Sequence, residues 1–108
     1  MKQSQPLRIE YPDRASLTTV KTVQARLYFL NNRPFEERVL GYTAKYQEKY
    51  SVTLYAVVVQ ANHIHTTSLF PHCNRAHFFR DLNARTAEAA HALVPSFPGG
   101  HLFARRSG

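Results

Sequence analysis

Asn62-His63-Ile64-His65 follows directly on the apolar run Leu54-Tyr55-Ala56-Val57-Val58-Val59. In an extended strand successive side chains alternate between faces, so His63 and His65 share one face and Ile64 points to the other. Two neighbouring imidazoles on a rigid strand can hold one divalent metal ion, while the intervening isoleucine anchors the strand in a core. Strand histidines also serve packing and surface roles, and this spacing alone leaves that alternative open. The other four, His72, His77, His91 and His101, have no comparable spacing and read as surface residues. All six tyrosines (Tyr11, Tyr28, Tyr42, Tyr46, Tyr50 and Tyr55) precede the histidine pair.

The elements that must position this pair are those of one small domain. The chain has 108 residues, of which 44% are hydrophobic and 12% aromatic, enough to form a core. Its 14 Lys and Arg against 7 Asp and Glu give a formal charge of +7, which favours a polyanionic partner. Nucleic acid, ribosomal RNA and anionic membrane surfaces all fit that charge. No apolar run approaches the roughly 18 residues of a membrane span, and Met1-Lys2-Gln3-Ser4-Gln5-Pro6 lacks the apolar stretch of a signal peptide. A cytoplasmic location with no membrane association is the expectation. The single cysteine, Cys73, excludes an internal disulfide framework and a cysteine-based zinc cluster.

Residues 1–15, with Pro6 and Pro12, read as an irregular leader, and residues 16–108 as the folded domain. Leu17-Thr18-Thr19-Val20-Lys21-Thr22-Val23-Gln24 alternates apolar with polar and suits a half-buried strand. Arg26 to Asn32 leads into a turn. Pro34 suits a first helical turn, with Asn32 or Arg33 near the cap and Glu36 and Glu37 at the positive end of the helix dipole. Phe35, Val39, Tyr42, Tyr46 and Tyr50 then define an amphipathic helix ending near Tyr50. The valine-rich stretch Val52 to Val59 reads as a central strand buried on both faces. Gln60-Ala61 makes a short turn, Asn62 to Phe70 returns antiparallel with the histidines, and Pro71 stops it. Phe79, Leu82, Thr86, Ala89 and Leu93 keep helical spacing until Pro95.

Strand, helix, strand, strand, helix is five sixths of a βαββαβ unit. The expected fold is therefore α+β and ferredoxin-like (split βαβ), an antiparallel sheet with helices on one face. Leu102-Phe103 stands where the sixth element would begin. Loss of an edge strand would leave backbone groups unpaired and favour instability or domain swapping.

The ordered run of these motifs resembles the single-tyrosine transposases of the HUH superfamily, especially the REP-associated tyrosine transposase-like branch. Pro6-Leu7-Arg8-Ile9-Glu10-Tyr11-Pro12 is similar to that family's N-terminal segment, and Thr22-Val23-Gln24-Ala25-Arg26 to the end of its first strand. Asn32-Arg33-Pro34-Phe35 resembles the entry to its first helix. Val57-Val58-Val59-Gln60-Ala61-Asn62-His63-Ile64-His65 matches its strand and signature, and Phe78-Phe79-Arg80-Asp81-Leu82-Asn83 the helix that follows. Gly100-His101-Leu102-Phe103-Ala104-Arg105-Arg106 is similar to its Gly-x-hydrophobe-aromatic-x-Arg-Arg segment. Gln60-Ala61 and Thr66-Thr67-Ser68 depart from the family, which tends to have Met-Pro and leucine-like residues there.

The resemblance implies an enzyme that cuts and rejoins hairpin-bearing single-stranded DNA as a homodimer. His63 and His65 would hold Mg²⁺ or Mn²⁺, and a tyrosine hydroxyl would attack phosphorus to give a covalent phosphotyrosine. The family's nucleophile follows the Arg-Arg segment, whereas Tyr42, Tyr46 and Tyr50 have the spacing of packing or surface aromatics. The expectation is thus a domain incomplete at its C-terminus, inactive in cleavage by itself. Lys21, Arg26, Arg75, Arg80, Arg105 and Arg106 are the candidate phosphate contacts, and Tyr28, Phe29 and Phe97 suit core packing or base stacking. The alternative is a non-catalytic single-stranded nucleic-acid-binding module derived from the same fold.

Overall fold

The computed structural model describes residues 11–104. Strand β1 (Ser16–Lys21) is followed by a short 3₁₀ turn, helix α1 (Arg33–Tyr50), strands β2 (Thr53–Val59) and β3 (His63–Leu69), and helix α2 (Arg75–Leu93). The sheet order is β1-β3-β2, with both pairs antiparallel. This is the expected α+β, split-βαβ arrangement. Beyond α2, Phe103 forms an antiparallel bridge to Thr22, and Val23 N–H donates to Leu102 O at 2.9 Å. Leu102–Phe103 therefore lies along the free side of β1, where the fourth strand of such a sheet belongs.

Helix α1 starts as its sequence requires. Asn32 caps it, its Oδ1 accepting from Phe35 N–H at 3.0 Å, and Pro34 occupies the first turn, where its missing donor has no cost. The helix ends at Ser51, which is left-handed (φ 53°) and donates its N–H to the last carbonyls. Phe35, Val39, Thr43 and Tyr46 form its buried stripe.

One correction concerns β2. It is an edge strand, and β3 is central. A bulge interrupts the pairing between Leu54 and Ala56, and both Tyr55 and Ala56 are exposed. The valine-rich run is apolar on both sides because Val57 and Val59 pack against the core while Val58 lies on the uncovered face. Continuous apolarity signified one buried face and one apolar open face, not two buried faces.

Both helices cover the other face. Ile64 packs with Phe35, Val39, Ala89 and Ala90 in one cluster, whereas Phe70, Phe78, Phe79 and Leu82 pack with Tyr46 and Val52 in a second. Buried hydroxyl residues accompany them: Thr43, Thr66, Ser68 and Thr86. Thr43 and Thr86 donate back to Val39 O and Leu82 O, each at 2.8 Å, the usual way a helical threonine satisfies itself. No helix among the described residues is long and apolar enough to cross a membrane.

Candidate metal and nucleic-acid site

The burial of β3 alternates residue by residue. Ile64, Thr66 and Ser68 are buried under the helices, and His63, His65, Thr67 and Leu69 are part-exposed on the opposite, open face. His63 and His65 are thus brought side by side, with ring centroids 4.4 Å apart and planes at 77°. Ile64 fixes the phase: it is 4% exposed within the core cluster, so a one-residue slip would bury both imidazoles.

Each imidazole is held through its Nδ1. His63 Nδ1 lies 2.7 Å from Asn62 Oδ1, and because a carboxamide oxygen only accepts, that ring nitrogen carries the proton. His65 Nδ1 lies 2.8 Å from the Thr19 hydroxyl, which accepts from a protonated Nδ1 or donates to a bare one. With Nδ1 protonated on both rings, each Nε2 lone pair would be directed away from these partners and open to a metal, the arrangement in which a second layer of hydrogen bonds orients ligating histidines.

Thr19 reaches His65 because β1 and β3 pair in register, Thr19 opposite His65 and Lys21 opposite His63. Asn62 is steadied from the backbone beyond β1. Gln24 and Ala25 adopt left-handed φ of 54° and 53°, turning the chain so that Ala25 O accepts from Asn62 Nδ2 at 3.4 Å. Thr22 N–H donates to Asn62 O at 2.9 Å, and Thr22 Oγ1 closes the turn onto Arg26 O at 2.7 Å. Two non-glycine residues in this region are energetically costly and are held only by such surrounding contacts.

Two imidazoles are chemically suited to donate to a divalent ion. Among the described residues no group of three His, Cys, Asp or Glu is placed to hold a metal, so an ion bound at this pair would take its remaining ligands from water or phosphate oxygens. Imidazole nitrogen suits Mn²⁺ better than Mg²⁺, which prefers an all-oxygen shell.

Of the cationic candidates, Lys21 stands beside His63 on the open face, and Arg26 is exposed in the turn that abuts Asn62. Arg75 and Arg80 are not brought to the pair. Arg75 reaches Thr18 Oγ1 at 2.8 Å and lies over the Phe79 ring, and Arg80 bonds Asp81 at 3.2 Å, both from α2 on the helical side. Arg105 and Arg106 lie outside the described residues. Tyr28, Phe29 and Phe97 are packing residues: Phe29 stacks on Phe35, and Tyr28 meets Phe97 edge-on.

The tyrosines of α1 are likewise engaged away from the pair. Tyr46 is buried and its hydroxyl accepts from Arg85 Nε at 3.2 Å, while Tyr50 donates to Asp81. That bond, with Arg80 and Lys49 beside it, holds the Asp81 carboxyl below the usual carboxylate range, against a smaller opposing effect of desolvation.

Two residues of the open face escaped the sequence reading, Thr19 and Tyr55. Thr19 was legible in principle, since it shares its phase with Leu17 and Lys21. Tyr55 was not, because the bulge that turns it outward leaves no trace in the alternation of an all-apolar run. Neither a scan of the sequence against protein-family models nor a search of curated proteins returns a match.

Proposed function

We propose that this chain is a DNA-processing domain of the single-tyrosine HUH transposase type, which binds hairpin-bearing single-stranded DNA with Mg²⁺ or Mn²⁺ at His63 and His65. The observation that carries the reading is the pair itself, two imidazoles side by side on the open face of a central strand, each with Nδ1 at hydrogen-bond distance from a neighbouring side chain. A bound divalent ion would polarise a phosphate oxygen as a Lewis acid. The chain's own residues do the positioning: Asn62 and Thr19 fix the imidazoles, while Lys21 and Arg26 sit where flanking phosphates would pass. The attacking hydroxyl is assigned to no residue of α1, whose Tyr46 and Tyr50 are engaged elsewhere. Dimerisation would supply it only through a partner chain that carries the family's later tyrosine. A cytoplasmic location suits such a DNA substrate.

A second reading, a non-catalytic nucleic-acid-binding module, needs only the cationic Lys21 and Arg26 near the pair. Metal dependence separates the two. A labelled DNA hairpin and its duplex counterpart are titrated with the wild type and with His63→Ala/His65→Ala, in Mn²⁺, and the products resolved on a denaturing gel. The transposase-type reading expects hairpin preference that depends on Mn²⁺ and is lost in the double variant. Hairpin binding indifferent to both metal and histidines supports the module. Equal, steeply salt-dependent binding of hairpin and duplex reports charge alone and sinks both.

A further inference from the structure

The open face is organised in rows across the three strands. Lys21 and His63 form one row, Thr19, His65 and Val58 the next, and Leu17, Thr67 and Ala56 the third. Tyr55 joins this third row, because the bulge places it and Ala56 together on the exposed side opposite Thr67. Tyr55 is 61% exposed, with Leu17 at 67% and Val58 at 46%, the most open large apolar residues of the sheet. None of the outward residues of the three strands is acidic, in a chain of net charge +7.

The face therefore grades from cationic and metal-binding at Lys21 and His63 to aromatic and apolar at Tyr55 and Leu17. Successive rows are separated by two residues, or about 6.6 Å at the rise of a strand. That is the scale of one nucleotide step in an extended single strand. A phosphate at the histidines would set a neighbouring base over the third row. An aromatic ring beside a cationic track is what binds unpaired bases irrespective of sequence.

We propose that Tyr55 is a base-stacking subsite, on which an unpaired nucleotide flanking the hairpin lies while its phosphate reaches the His63–His65 row. The occupant is single-stranded DNA, favoured over a second copy of the chain by the cationic, acid-free character of the face. The inference rests on the DNA-binding reading above and adds the place and chemistry of the single-stranded flank. Tyr55 contributes through its ring and not through its hydroxyl.

The test is fluorescence anisotropy with the full chain, Mn²⁺ and a labelled hairpin carrying a short single-stranded flank. Matched probes have either no flank or abasic flanking nucleotides. Tyr55→Ala is expected to weaken the flanked hairpin roughly 5- to 150-fold, and Tyr55→Phe to bind within about twofold of wild type. On the abasic probe wild type and Tyr55→Ala should bind alike. Tyr55 is exposed and belongs to neither core cluster, so both variants should melt with the wild type, and that is checked first.

Unchanged affinity of Tyr55→Ala for the flanked hairpin overturns the subsite while leaving the DNA-binding reading intact. An equal loss in Tyr55→Phe overturns the ring-based account, as does a loss that persists on the abasic probe. A wild-type dimer that Tyr55→Ala dissociates would give the face to a second copy instead. If the wild type binds no hairpin, the parent reading fails and the subsite with it.

Discussion

Thr19→Val replaces a hydroxyl by a methyl of nearly the same volume on an outward position of β1, where a β-branched residue is retained. What it removes is the hydroxyl 2.8 Å from His65 Nδ1. Partners that orient a ligating histidine are worth about 10- to 100-fold in metal affinity. Thr19 is exposed, so water can take its place, which puts the expected loss near the lower end, about 10-fold or about 1.4 kcal/mol. Asn62 is half-buried and anchored from Ala25, so Asn62→Ala should cost more than Thr19→Val. The two act on different imidazoles, and their effects on one bound ion should compound. Isothermal titration of Mn²⁺ into the metal-free chain reads all of these, with a thermal melt of each variant to show that it folds. Thr19→Ser keeps the hydroxyl and should bind within about twofold of wild type. The reasoning is refuted if Thr19→Val binds Mn²⁺ like the wild type while His65→Ala binds none. It is refuted equally if Thr19→Ser loses as much as Thr19→Val, since packing and not the hydroxyl would then be responsible.

Three further expectations concern the scaffold. Asp81 has a depressed folded pKa through Tyr50 first and Arg80 next, so its contribution to stability is present above the ordinary aspartate value of about 3.9 and is lost as pH falls below it; melting curves of Asp81→Asn should show a shallower fall on the acid side than wild type, and identical acid limbs would count against the network. Ser68 Oγ is buried with no hydrogen-bond partner, so Ser68→Ala should leave the chain as stable as wild type or more so, by up to about 1 kcal/mol; a clear loss in urea denaturation would reveal a bond that the structure does not contain. Leu102 is 2% exposed in the first core cluster, and Leu102→Ala should destabilise by about 2–5 kcal/mol. A neutral result there would mean that the segment after Gly100 is not part of the fold.

How much of this was legible in the sequence depends on which physical signal each feature leaves. Helix α1 was readable to within about a residue at each end, because Asn32, Pro34 and the spacing from Phe35 to Tyr50 all report the same local geometry. The shared face of His63 and His65 was readable too, since strand alternation is a local property and Ile64 has only one way to be buried. The place of β2 in the sheet was not. Burial on two faces and burial on one face with an apolar open side produce the same valine-rich string, and only tertiary pairing distinguishes them. The layer of the α2 arginines was not legible for a related reason: net charge says nothing of which layer a side chain joins, and Arg75 and Arg80 belong to the helical layer.

The open face ties these observations together. A small sheet with helices on one side exposes the other, and that exposure is tolerable only where the outward residues suit water or a partner. Here the outward set divides by position. Imidazoles and a lysine lie at the end fixed by the Val23–Ala25 turn, and a tyrosine and aliphatic residues lie at the bulged end. The backbone irregularities fall at these same two places. The left-handed pair Gln24–Ala25 supports Asn62, and the bulge at Tyr55 turns an aromatic outward that regular alternation would have pointed inward. Straightening the bulge by deleting Tyr55 should therefore preserve Mn²⁺ binding at the histidines, because Val58 would still pair with His65, yet abolish discrimination between hairpins with and without a single-stranded flank. Loss of both properties together would show that the two ends of the face are not separable, and the division of labour argued from the rows would fall.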